Sequence, residues 1–283
     1  MSRNRDRLGT SAPENNSTPP QALQQNPGFA FVVPTEFVEL PSNGRFYSEN
    51  HPLHGQTTIE IKQMTAKEED ILTSRTLLKN GVAIDRVIQS LIVDKSINSD
   101  TLLVGDRNAI LIAARSSGYG TDYDTKVTCP SCGVVQEYSF NLNDATVHTG
   151  NISPALEITD KGNGIFETTL PRTGVQVGFR LLDGMDEKGM LTRAENARKR
   201  KKSEQAVTDL IRTMVVSVNG DQSPQAVEYL IDNIPSIDAR HLRTCYKEVT
   251  PNIDMTQYFE CQECGHEQDM EVPLTADFFW PDR

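Results

Sequence analysis

KVTCPSCGVVQEYSF (Lys126–Phe140) and YFECQECGHEQDMEV (Tyr258–Val272) share one pattern, which predicts how the two halves of the chain meet. Each places a Cys-x-x-Cys pair between two runs of strand-forming residues and follows the pair with a glycine. Two thiolates separated by two residues can occupy one edge of a metal tetrahedron from a single tight turn. Each stretch therefore predicts a hairpin with half a metal site at its tip.

The four cysteines of these pairs are Cys129, Cys132, Cys261 and Cys264. Structural zinc takes four tetrahedral ligands, whereas catalytic zinc keeps one position open. We therefore predict one structural Zn2+ ion held by all four thiolates, with an iron cluster or a redox dithiol as the alternatives. We expect Gly133 and Gly265, which follow the pairs, in a backbone conformation that is costly for other residues.

The two halves of the chain align in register around these pairs. Asp106 precedes Cys129 by as many residues as Asp238 precedes Cys261. The same offset aligns further residues: Asp122 with Asp254, Gly133 with Gly265, Gln136 with Gln268, and Leu142 with Leu274. Upstream, LPSNG at residues 40–44 aligns with LPRTG at residues 170–174. We infer an internal duplication in which each unit ends in one zinc knuckle.

The predicted fold is therefore α+β, with duplicated strand-helix units whose two knuckles form one split zinc ribbon. The first repeat covers residues 29–158 and the second residues 159–283. Residues 1–28 are rich in Asn, Gln, Ser and Pro, so we expect a disordered arm. An ion shared by both repeats would close a loop of about 130 residues, which removes about 4 to 5 kcal/mol of unfolded-state entropy in the chain-entropy model.

Local patterns predict strands, then three helices, then a strand into each knuckle. Thr65 and Glu68 fit a capping box, which predicts a helix from there to about Lys79. The remaining predicted elements are strands at 37–40, 57–64, 126–128 and 175–182, and helices at 83–93, 106–118, 207–216 and 238–249. Asp122–Asp124 is interpreted as a loop, and Asp160–Gly164 as a hairpin turn.

Composition limits the possible functions. The net charge of −11 disfavours nucleic-acid binding over the whole surface. The basic segment Arg193–Lys202 is interpreted as a solvated helix face, with an acidic protein or a polynucleotide as alternative partners. No apolar stretch is long enough for a bilayer span, so we expect no membrane partner. The sequence carries no recognised catalytic or cofactor-binding motif, and we expect no enzyme activity.

Three further features bear on the site. His266 follows the second pair and is interpreted as a turn residue rather than a ligand. Cys245 lies in a helical pattern, where a small apolar thiol is usually part of the core. The aromatic C-terminus, Phe278 to Trp280, is expected to dock on the knuckle strands, with anchoring of a partner protein as the alternative.

Four motifs together resemble a known family: LPSNGRFY (Leu40–Tyr47), TAKEEDIL (Thr65–Leu72), GDRNAILIAAR (Gly105–Arg115) and the paired CxxCG knuckles. The chain is similar to the T-even-type baseplate hub assembly proteins of contractile-tail phages. The resemblance implies an assembly factor (chaperone) or minor subunit of the baseplate hub, with hub proteins as partners and self-association as a further option. It implies host cytoplasm during assembly or the virion tail as the location. A nucleic-acid-binding zinc ribbon is the alternative function.

Overall fold

The computed structural model describes residues 32–79, 81–200, 203, 205–272 and 276–279. The predicted disordered arm, residues 1–28, lies outside these described residues, as does the apolar segment at 29–31. One compact unit begins at Pro34, five residues after the start of the first predicted repeat, and it is not divided between the two repeats. The secondary structure mixes helices and strands, which confirms the predicted α+β class.

The first half begins with an antiparallel pair of strands, β1 (Thr35–Glu39) and β2 (Thr58–Lys62). Helices α1 (Ala66–Thr73), α2 (Arg75–Lys79), α3 (Ala83–Leu91) and α4 (Val104–Tyr119) follow. The capping box of Thr65 and Glu68 forms as predicted. The single helix predicted to reach Lys79 is wrong, because the extended backbone of Ser74 (ψ 106°) separates α1 from α2.

The first knuckle hairpin is formed by β3 (Asp122–Thr128) and β4 (Val135–Asn141). The prediction of a loop at Asp122–Asp124 is wrong, since these residues pair with the end of β4. Strand β5 (Thr146–His148) then pairs antiparallel with β10 (Asn252–Asp254) and so connects the two halves of the chain.

The second half begins with an antiparallel sheet in the order β6 (Ile158–Gly162), β7 (Ile165–Thr169), β8 (Gln176–Arg180) and β9 (Val215–Val218). The predicted hairpin turn at Asp160–Gly164 joins β6 to β7, with positive φ at Asn163 and Gly164. The helices are α5 (Gly184–Lys199), α6 (Ala206–Met214), α7 (Pro224–Asn233) and α8 (Ser236–Val249). The second knuckle hairpin is β11 (Thr256–Glu260) with β12 (Glu267–Glu271).

Each half of the chain therefore has four helices in the described residues, not the three predicted. The core runs through both halves as one cluster of buried apolar side chains. Helix α3 shows how a helix contributes to this core. Its apolar residues recur at helical spacing, so that Val87, Ile88 and Leu91 lie on one buried face. In the described part of the chain, no helix has the length and apolar character needed to cross a membrane.

A buried aspartate in each half anchors the turn between the first two aligned strands. Asp106, fully buried, accepts hydrogen bonds from Ser42 N (3.0 Å), Ser42 Oγ (2.6 Å) and Tyr47 Oη (2.7 Å). Asp238, also buried, accepts from Arg172 N (2.8 Å), Thr173 N (3.0 Å) and Thr173 Oγ1 (2.8 Å). Each carboxylate therefore holds the backbone of one turn, and in the first half the donor residue Ser42 is itself buried.

A second matching contact lies at the start of the helical region in each half. Glu68 closes the capping box of α1 and pairs with Lys62 of β2 at 2.8 Å. Asp186 closes the capping box of α5 and pairs with Arg180 of β8 at 2.6 Å. In both cases a carboxylate at the third helical position also fixes the end of the preceding strand.

Candidate metal centre

The two knuckles have the same backbone hydrogen bonds at the tips of their hairpins. Cys129 N donates to Val134 O and Gly133 N donates to Cys129 O, both at 2.9 Å. Cys261 N donates to His266 O and Gly265 N donates to Cys261 O, also at 2.9 Å. Each turn thereby directs its two cysteine side chains to the same side of the hairpin tip.

Glycine is required after each pair for a conformational reason. Gly133 has φ 74° and Gly265 has φ 65°, which lie in the left-handed region. A Cβ added at either position would meet no atom within 4 Å, so the constraint comes from the backbone and not from space. The predicted costly conformation at both glycines is confirmed.

The four cysteine sulfurs lie together, although 135 residues separate Cys129 from Cys264. All four Sγ atoms are within 4.8 Å of one another. Cys129 Sγ is 3.8 Å from Cys264 Sγ, and Cys132 Sγ is 3.7 Å from Cys261 Sγ. Zinc–thiolate bonds of about 2.3 Å give a tetrahedron with an edge of about 3.8 Å, whereas a disulfide needs about 2.05 Å. The four sulfurs can therefore bind one metal ion.

Electrostatics at the site also favours a cation. Cys129 and Cys261 are buried, whereas Cys132 and Cys264 are exposed. Backbone amides, first that of Cys132, lower the pKa of the Cys129 thiol to about 6. The Val134 amide acts in the same direction on the pKa of Cys132, but partial desolvation of the sulfur and the neighbouring thiols outweigh it and raise that pKa to about 12. A divalent cation favours the thiolate form of all four cysteines, because its positive charge offsets the repulsion between neighbouring thiolates.

Contacts between the two hairpins hold the knuckles in place. The ring of Tyr138 packs on Phe259 with centroids 5.1 Å apart, and its hydroxyl donates to Tyr258 O at 3.1 Å. The amide of Gln257 accepts from Asn141 N (3.2 Å) and donates to Asn141 O (2.8 Å). Sequence reasoning missed these contacts, because side chains that cross between hairpins follow no periodicity within either one.

Comparison with known proteins gives one result for this fold and site. A family model described as T4 bacteriophage base plate protein matches residues 33–280. The chain belongs to this family. Neither the curated proteins nor the solved structures include a match. The resemblance drawn from the sequence motifs is thus confirmed at the level of a phage base plate protein, whose setting is the virion tail with other base plate proteins as partners.

Two side chains of this base plate protein do not belong to the cluster of four sulfurs: His266, which follows the second knuckle, and Cys245, which lies in α8. His266 places Nε2 at 3.4 Å from Gln268 Oε1, and its ring is not among the clustered groups. Cys245 is fully buried in α8, 3.4 Å from His241 Nε2, and burial raises the pKa of its thiol. The interpretation of Cys245 as a core residue is confirmed.

The aromatic C-terminus of the base plate protein docks beside the first knuckle hairpin, as predicted. Phe278 and Phe279 are both buried, and the ring of Phe278 meets that of Tyr123 in β3 edge-on at 5.2 Å. Arg115 Nε of α4 donates to Phe278 O at 2.6 Å. Trp280 lies outside the described residues.

The charged segments of the base plate protein are distributed unevenly. The basic segment forms the exposed end of α5 up to Lys199, with Arg200 at the C-cap, which agrees with a solvated helix face. Lys201 and Lys202 lie outside the described residues. The second knuckle hairpin carries exposed acidic side chains on both strands and on its tip: Glu260, Glu263, Glu267, Asp269 and Glu271. The metal centre is therefore flanked by negative charge.

Proposed function

We propose that this base plate protein is a zinc-clipped interaction scaffold for assembly of the baseplate hub, as an assembly chaperone or a minor hub subunit. One observation carries the proposal. Sulfurs from two distant parts of a base plate protein meet at the spacing of one zinc tetrahedron. An ion with all four positions filled by protein supports architecture rather than chemistry.

Zinc suits this donor set better than the alternatives. In a [4Fe–4S] cluster each cysteine binds a different iron, and in a [2Fe–2S] cluster the four cysteines are divided between two irons. Cysteine sulfurs on different irons would lie farther apart than the edge of one tetrahedron. A redox dithiol uses two sulfurs and gives no reason for the other two to converge. Once bound, the ion would connect the two halves across a loop of about 130 residues and add about 4 to 5 kcal/mol in the chain-entropy model.

Matching contacts in the two halves support the proposed duplication and split zinc ribbon. The Asp106 and Asp238 anchors fix equivalent turns. The capping boxes closed by Glu68 and Asp186 each carry a pair to the preceding strand. The two knuckles share their backbone hydrogen bonds. Three kinds of contact that recur in the same chain order in both halves favour descent from one repeated unit.

The proposed role is non-enzymatic, with hub proteins as partners. Burial raises the pKa of Asp106, as in many catalytic carboxylic acids, but its carboxylate accepts three hydrogen bonds that anchor a turn. The shifted pKa is therefore explained by a structural role. The nucleic-acid alternative is not favoured, since the acidic side chains around the second knuckle would repel phosphates. We propose the host cytoplasm as the site of the assembly role, before or during incorporation into the tail.

Mass spectrometry of purified tail particles beside infected-cell lysate tests the proposal. A subunit will be recovered in the particles, and an assembly chaperone will be recovered from lysate bound to hub precursors. Sedimentation of the purified chain separates self-association from binding to hub proteins. Recovery in neither particles nor hub complexes would overturn the proposed function.

A further inference from the structure

The two halves differ at one edge of their sheets. In the second half β7 pairs with β8 on one side and with β6 on the other. In the first half the aligned strand β1 pairs with β2, and no strand covers its other edge within the described residues. The place that β6 takes in the second half therefore has no counterpart strand in the described first half.

The hydrogen-bond parity of β1 identifies the groups on this edge. Gln63 N donates to Pro34 O (2.9 Å) and Leu40 N donates to Thr57 O (2.8 Å), so Pro34 and Leu40 face β2. Because antiparallel partners alternate, the backbone groups of Thr35, Phe37 and Glu39 point away from β2. Two of the aligned positions of β7 pair with β6, Ile165 opposite Gly162 and Glu167 opposite Thr159. An edge of this kind is a template for another strand.

Side chains on this edge are also poorly covered. Phe37 is 70% exposed at the centre of β1, which is unusual for a large aromatic side chain in a strand. Glu39 is exposed beside it. The exposed face of β1 therefore presents one apolar anchor, Phe37, and one carboxylate, Glu39, which has no ion pair among the described residues.

The tight turn that returns β6 to β7 cannot be repeated in front of β1. That turn uses positive φ at Asn163 and Gly164. The aligned residues are Val33 and Pro34, and the proline ring fixes φ near −65°. The strand that covers β1 is therefore not supplied by an equivalent two-residue hairpin.

We propose that the outer edge of β1 binds an extended segment of another base plate protein, which adds to the sheet as β6 does in the second half. This inference rests on the proposed function and names its docking surface. The segment carries an aromatic or aliphatic side chain against Phe37 and a Lys or Arg toward Glu39. Within the second half, Lys161 of β6 pairs with Glu167 of β7 at 2.9 Å and provides the intramolecular precedent.

A second copy of this chain fits the edge less well than a basic partner. Each copy has a net charge of −11, so pairing two copies brings like charges together, whereas a basic segment gains by charge complementarity. Strand addition supplies affinity through main-chain hydrogen bonds and specificity through alternate side chains. The occupant is thus defined by its extended backbone, its apolar anchor and its basic residue.

Proline substitution on the full-length chain tests the edge directly. Phe37→Pro removes an N–H that points away from β2, so it blocks strand addition and leaves the β1–β2 hydrogen bonds in place. Hub proteins of the same phage are co-expressed in turn with each variant, and the co-purified partner is quantified. We expect roughly a tenfold or greater loss with Phe37→Pro. The control Tyr229→Ala, which removes an aromatic side chain that is 72% exposed on α7, should lose nothing.

A photo-cross-linker identifies the occupant without relying on a folding-sensitive variant. We expect p-benzoylphenylalanine at position 37, but not at position 229, to cross-link to an extended segment of a hub protein. In the same complex, the amides of Thr35, Phe37 and Glu39 should gain protection from hydrogen exchange. Cross-links to residues 1–33 of the same chain, cross-links to a second copy, or full partner recovery with Phe37→Pro would each overturn the inference.

The two proposals fail in different ways. If the chain is recovered with tail particles or hub precursors but Phe37→Pro changes nothing, the edge inference fails and the scaffold function stands. If the chain is recovered with neither, both proposals fail.

Discussion

Truncating the buried side chain of Asp106 to a methyl group should destabilise the protein strongly. Asp106→Ala removes the acceptor of three hydrogen bonds, from Ser42 N, Ser42 Oγ and Tyr47 Oη. Hydrogen bonds to a charged group contribute about 1.5 to 3 kcal/mol each. The variant also leaves the three donors buried without that partner.

Two effects make the expected loss of stability smaller than the sum of three such hydrogen bonds. Burial raises the pKa of Asp106, because removing the carboxylate from water disfavours its charged form. This desolvation cost offsets part of the stabilisation from the three hydrogen bonds. The two hydroxyl donors can also rotate toward each other. We therefore expect a loss of about 3 to 5 kcal/mol in the free energy of unfolding, which corresponds to a fall of about 10 °C in Tm.

Urea unfolding with zinc supplied measures this loss, and two variants calibrate it. Asp238→Ala removes the equivalent acceptor of the second half and should cost a similar amount. Asp70→Ala changes an exposed carboxylate of α1 and should stay within about 0.5 kcal/mol of the wild type. Equal urea midpoints for Asp106→Ala and Asp70→Ala would refute the anchoring role.

Two further predictions concern pH and the C-terminus. Burial opposes ionisation of Glu68, but hydrogen bonds, first from Lys62, outweigh it and lower the pKa of Glu68 to about 2. Because this pKa lies below the ordinary value of 4.5, the stability it contributes is present above pH 4.5 and lost as pH falls toward 2. Glu68→Gln should flatten the pH dependence of the urea midpoint in that window, and Asp70→Asn should not; parallel slopes would contradict this. Phe278→Ala should cost about 3 to 5 kcal/mol in urea unfolding, whereas Phe37→Ala should cost less than about 0.5; equal losses would contradict the docking of the C-terminus.

The sequence predicts best where a feature is local. The knuckle turns follow from the Cys-x-x-Cys-Gly spacing, and the start of α1 follows from the capping box at Thr65. The alignment of the halves brings Asp106 and Asp238 into correspondence before any contact is known. Their role as anchors could not be predicted, because it depends on turns about 65 residues away (|i−j| of 64 and 66).

The wrong predictions have a common physical cause. The separation of α1 from α2 at Ser74 and the extension of β3 over Asp122–Asp124 are both set by tertiary packing. Polar residues such as those of Asp122–Asp124 favour turns in isolation, and pairing with β4 overrides that preference. The open edge of β1 is likewise recognised only by comparison with β7 in the structure. The strand that covers β7, β6, is mostly polar, and its sequence does not predict a strand.

We propose that one zinc ion joins the two halves through Cys129, Cys132, Cys261 and Cys264. X-ray absorption at the zinc edge, on the purified full-length chain, measures the ligands of this ion. We expect one zinc per chain with four sulfur ligands at about 2.3 Å. Cys129→Ser and Cys261→Ser should each change the set of ligands, although the two residues come from different hairpins. Nitrogen or oxygen ligands in the wild-type chain, or a chain that folds without bound zinc, would contradict the proposed zinc site.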